Sequence, residues 1–155
     1  MNTETAFPAA GFGRRLGGIF YDSILLLCVL LVASVLATLV LKLTTGQGDY
    51  KALSAVPLFF FRLYFVLAGG GFLAWFWVHG GQTLGMRAWR IRVVDTSDQP
   101  IRWSQALARV FFILLTPGIG LLWAIVDRQR RALYDRLSKT RLVLVEKAHV
   151  PPLHR

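Results

Sequence analysis

Apolar positions in this chain gather into three long blocks, and the polar positions fall between them. Leu16–Leu43 and Pro57–Val78 are each long enough to cross a bilayer core, which takes about 20 apolar residues as helix. Ala106–Val126 is long enough too, but Pro117-Gly118-Ile119-Gly120 interrupts it. None of these blocks keeps the polar face that a core helix of a water-soluble domain carries on its outer side. The first is also too long for a signal peptide. The pattern predicts an all-α membrane protein with helices over about 16–43, 57–78 and 104–126. They lie within one membrane domain, 11–146, between flexible ends at 1–10 and 147–155.

Small residues mark where these helices pack. Ala33/Ala37 and Ser34/Thr38 repeat at a spacing of four and let another helix approach. Gly69-Gly70-Gly71 inside the second block allows close packing or a kink. Trp75, Trp77 and His79 near its end resemble an interfacial belt. The polar stretches contain two strand-like runs, Trp89–Asp95 and Arg141–Glu146, with turn residues at Thr96–Pro100. These two runs are expected to pair as a small cytoplasmic β-ribbon leaning on the helices.

Charge then orients the helices. The 155 residues are 55% hydrophobic, yet the formal charge is +10. Mean hydropathy is +0.52. Both hold because charge and apolarity are segregated: from Asp127 onward there are eight Lys or Arg against three acids. Arg14 and Arg15 precede the first block. Arg87, Arg90, Arg92 and Arg102 follow the second, whereas the first loop carries Lys51 with Lys42 just before it. Basic short loops stay in the cytoplasm. The N-terminus, second loop and tail can all do so only if the third block re-enters as a hairpin; the alternative is a single kinked crossing. The expected location is a bacterial inner membrane, multi-pass, with the N-terminus cytoplasmic. Topology and contact with anionic headgroups account for the basic tail, so nucleic-acid binding is not expected.

Asp22 is the one charge between Leu16 and Leu41. It sits about 9 Å into the apolar block at 1.5 Å per residue. Such acids are costly in a membrane and have a partner or a function. Arg15 lies on the same helix face, with Gly18 leaving that face open. Arg109 should reach a similar depth from the same side, so an Asp22–Arg109 ion pair is expected, with Arg15 at its mouth. Arg62 enters from the other leaflet and should snorkel outward. Asp135 stands among basic residues and is positioned to organise Arg136, Arg131 or Arg15. Cys28 is the only cysteine. His79, His149 and His154 lack metal-ligand spacing. Neither a metal nor a cofactor is expected, and no hydrolase, transferase or phosphate-loop motif points to an enzyme.

Three blocks in order resemble the RDD family of small bacterial membrane proteins, named for an arginine and two aspartates. They are Ala10-Gly-Phe-Gly-Arg-Arg15 with Asp22, Gly81-Gln82-Thr83-Leu84-Gly85 followed by Arg90-Ile-Arg-Val-Val-Asp95, and Ala132-Leu-Tyr-Asp135-Arg136-Leu followed by Thr140. The resemblance implies that Arg15, Asp22 and Asp135 are the name-giving residues, with Arg14 the alternative arginine. Met86 replaces a common lysine, Tyr134 a frequent histidine, and Ser138-Lys139 a frequent Ala-Gly. Transport of unidentified ligands, including cation–proton exchange, is suggested for the family. Two functional classes stay open: a small transporter, which with so few spans would need to form a homo-oligomer, and a membrane accessory or scaffold that binds another membrane protein.

Overall fold

The computed structural model describes residues 7–46, 49 and 54–145. Lys51, Glu146, His149 and the tail over 147–155 lie outside the described residues. The elements run α1 (Phe12–Thr45), α2 (Ala55–Gly80), α3 (Leu84–Ala88), β1 (Ile91–Asp95), α4 (Trp103–Leu115), α5 (Ile119–Val126), α6 (Leu133–Leu137) and β2 (Thr140–Leu144). The chain forms two compact units, one of Met1–Asp22 with Ala74–Arg155, the other of Ser23–Leu73.

Both α1 and α2 are long and apolar enough to cross a membrane. Their 34 and 26 residues exceed the apolar blocks because each helix runs on into polar sequence. Arg14 and Arg15, expected before the first helix, therefore lie in its opening turns. In the Ser23–Leu73 unit most large side chains face outward, as Leu31, Val35 and Phe60 do. This suits a surface that lipid rather than water covers. Ala33 is buried there, whereas Thr38 is exposed, so only part of the expected small-residue face is covered. The Gly69–Gly71 run stays inside an unbroken α2, and buried Gly69 faces Leu26 and Leu30.

The third apolar block is two helices, α4 and α5, meeting at 100°. Pro117 cannot donate a backbone bond, and Gly118 takes φ +76°, a left-handed conformation that side chains disfavour. Beyond it, α6 packs on both α4 and α5.

The two expected strands pair antiparallel, with Ile91 opposite Leu144 and Asp95 opposite Thr140. Asp95 starts the turn by accepting from the N–H groups of Ser97 and Gln99. A two-stranded ribbon is marginal alone, and here both edges are covered. Gly81 accepts from the Val93 N–H, and Gln82 donates to the Ile91 carbonyl. On the other edge, Ala10 donates to the Leu142 carbonyl and Pro8 accepts from Leu144. The part of the N-terminal lead-in at Pro8–Ala10 is thus paired rather than free, because an open strand edge offers it hydrogen bonds.

Candidate functional site

Two buried acids organise the first unit, and they are solvated differently. Asp135 lies at the third position of α6, fully buried. Its Oδ2 accepts from Arg15 Nη1 at 2.6 Å and from the Ala132 N–H at 3.1 Å. Its Oδ1 pairs with Arg109 Nη1 at 2.5 Å. Both arginines are 2% exposed.

Each arginine is also held elsewhere. Arg15 donates to the carbonyls of Ala10 and Arg130. Arg109 donates to Thr140 Oγ1 at 2.7 Å, which lies 2.8 Å from Ser138 Oγ. The Arg109 guanidinium sits 5.1 Å from the Trp77 ring and 5.0 Å from the Tyr134 ring, within cation–π range of both. Burial pushes the Asp135 carboxyl up, but the attraction of Arg109 and Arg15 outweighs it and holds the group below the ordinary carboxylate range. Burial raises the Tyr134 phenol. Two guanidinium charges face one carboxylate, which leaves the cluster one positive charge in excess.

Asp22, 8% exposed, faces neutral donors. Its Oδ2 accepts from the Thr83 hydroxyl, and its Oδ1 accepts from the Gly85 N–H at 2.9 Å. Thr83 is at the same time the N-cap of α3, its Oγ1 accepting from Met86 N–H. Glycine is required at position 85. A Cβ there would lie 2.6 Å from both Asp22 Oδ1 and the Gly18 carbonyl. The open face expected at Gly18 is therefore filled, by the short helix α3.

The expected Asp22–Arg109 pair does not form; Arg109 and Arg15 both turn to Asp135 instead. A carboxylate from α6 reaches between the two arginines, and a full charge outcompetes a more distant one. Of the partners anticipated for Asp135, Arg15 is the one engaged, while Arg136 pairs with Asp127. Arg14 is exposed, 3.5 Å from the Trp89 carbonyl. Arg62 is exposed on α2. Trp77, read as part of an interfacial belt, is buried against Arg109, whereas exposed Trp75 stacks on His79. Sequence reasoning missed the two cation–π contacts of Arg109 and its Thr140 acceptor. The signal was available in the two strands: register sets Thr140 opposite Asp95 at the ribbon end. Among the described residues, no group of His, Cys, Asp and Glu could hold a metal ion.

The arginine and both aspartates of the resemblance thus occupy built, buried sites, and the RDD family model matches residues 9–139. The chain belongs to the RDD family. Arg15, Asp22 and Asp135 do not form one triad here: Arg15 and Asp135 pair, and Asp22 stands in its own cradle. No curated protein and no solved structure matches the chain.

Proposed function

We propose that this RDD protein is a non-catalytic, multi-pass inner-membrane protein that moves a small ligand or ion, with Asp22 as its intramembrane site. The observation that carries this reading is the contrast in counter-charge. Asp22 lies within a helix long and apolar enough to span a membrane, is nearly buried, and among the described residues has only a hydroxyl and a backbone N–H for its two oxygens. A carboxylate used purely as a structural tie would be expected to hold a cation permanently, as Asp135 does with two. One offset by neutral dipoles can exchange a proton or meet a passing cation.

In this reading the N-terminus, ribbon and tail share the cytoplasmic side, and α4–α5 enters and leaves the membrane there. Support comes from length as well as charge. The 13 residues of α4 span about 20 Å and the eight of α5 about 12 Å, and at a 100° bend they do not add up to a crossing of about 30 Å. With two full spans per chain, a transport path would be completed by a homo-oligomer.

The second reading is a membrane accessory protein. The covered edges and fixed register of the ribbon favour it, because they make a rigid platform for another protein. Ion flux into liposomes carrying the reconstituted protein separates the two. Asp22→Asn that folds normally and abolishes flux supports transport; absence of flux in the wild type, with a monomer in mild detergent, supports the accessory role. A topology reporter at the C-terminus that reads outside rejects the re-entrant arrangement.

A further inference from the structure

The first unit holds a polar cavity of about 210 Å³, lined by Ala9, Arg15, Gln129, Arg131, Arg141 and Leu142. Three arginines and, among the described residues, no acid line it. Arg141 reaches Asp98 with one arm, but its buried Nε has no hydrogen-bond partner among the described residues. The backbone N–H of Arg131 is held by Asp127, while its guanidinium enters no ion pair among the described residues. Behind them stands Arg15, part of the cluster with one positive charge in excess. The cavity therefore faces two charges that no acid among the described residues offsets, one from Arg131 and one from that cluster. Buried charge and unpaired buried donors are costly unless a partner arrives.

We propose that this cavity binds a phosphate group, carried by an anionic lipid headgroup or free in solution. Arg131 and Arg141 are its direct donors and Gln129 a neutral one. The fork of a guanidinium matches two oxygens of a tetrahedral oxyanion. Arg15 contributes mainly field, since each of its three nitrogens already donates, Nε to Ala10, Nη1 to Asp135 and Nη2 to Arg130. The space is below the roughly 300–1,000 Å³ of drug-sized sites, so it suits the charged end of a molecule. The site requires neither Asp22 nor transport.

The test uses the full chain in a neutral maltoside detergent, titrated at constant ionic strength with inorganic phosphate and, separately, with dihexanoyl phosphatidylglycerol, against chloride. A saturable rise in Tm is expected with one of them and not with chloride. Saturation by phosphate assigns the free anion; saturation by the lipid with phosphate silent assigns the headgroup. Arg131→Gln should weaken the apparent affinity about tenfold, the worth of one charge-assisted hydrogen bond. Arg128→Gln, at an exposed neighbour, should leave it unchanged. The proposal is overturned if neither ligand stabilises the wild type beyond chloride, if Arg131→Gln binds as the wild type does, or if Arg128→Gln weakens binding as much.

Discussion

Asp22 and Asp135 are both buried acids in one compact unit, yet the protein treats their charge in opposite ways. Asp135 is locked between Arg15 and Arg109 and further tied to the Ala132 N–H. Asp22 is cradled by Thr83 and Gly85, neither of which carries charge. The first arrangement joins four elements, α1, α4, α6 and β2, through one carboxylate and its arginines. The second joins α1 to a five-residue helix. Burial alone does not tell what an acid does; the partner does. A carboxylate met by full opposite charge is held ionised down to lower pH and ties elements together. One met by dipoles keeps, in the function proposed above, the freedom to exchange a proton or meet a cation.

The largest test of that contrast is to neutralise each acid in turn. Asp135→Asn leaves two buried guanidinium groups unpaired and should cost about 3–5 kcal/mol. Folded, monodisperse protein should be nearly lost by size-exclusion chromatography. Asp22→Asn keeps an acceptor for Gly85 and a polar group beside Thr83, so its cost should be about 1 kcal/mol. Equal losses would erase the distinction.

Acid titration does the same without mutation. The Asp135 carboxyl is depressed below its unfolded value, so its stabilisation is complete above the ordinary carboxylate range and is lost as pH falls through the folded value. Thermal unfolding should therefore show an acid limb of declining Tm, and Asp22→Asn should retain it. If that variant flattens the limb, the acid dependence belongs to Asp22 and the comparison is misassigned.

Arg109→Lys keeps the charge but gives up the planar group between Trp77 and Tyr134. A loss of about 2 kcal/mol is expected, from two desolvated cation–π contacts and a poorer fit to Asp135. Thr83→Val removes the hydroxyl that serves both Asp22 and the α3 cap, and should cost about 1 kcal/mol in detergent unfolding. A silent Thr83→Val would mean that the cradle is incidental. The smallest effect should be a gain. Lys139 holds φ +53°, where the family resemblance shows glycine, and Lys139→Gly should raise stability by up to about 1 kcal/mol. No change in Tm would show that the turn before β2 stores no strain.

Much of the architecture was readable from one dimension. Two lipid-length helices, the break at Pro117-Gly118 and the pairing of the Trp89–Asp95 and Arg141–Glu146 runs follow from apolar block length, proline and glycine chemistry, and alternation. Family membership was legible through ordered motifs, and the three residues those motifs single out, Arg15, Asp22 and Asp135, are all buried. Their pairing was not legible. Counting helix rise set Asp22 and Arg109 at one depth, but depth says nothing of azimuth or of what lies between. Trp77 was read from its place near a helix end, which is the same for a lipid-facing ring and one turned inward.

The sequence by itself determined which segments leave water, because apolar length and the placement of arginines act locally and additively along the chain. Only the tertiary structure decided which charges meet. Arg15 and Asp135 are 120 residues apart. The choice between Asp22 and Asp135 as the partner of two arginines turned on ångström distances set by α3 and α6. Electrostatic pairing in a low-dielectric interior falls steeply with such distances, and no pattern along the chain encodes them.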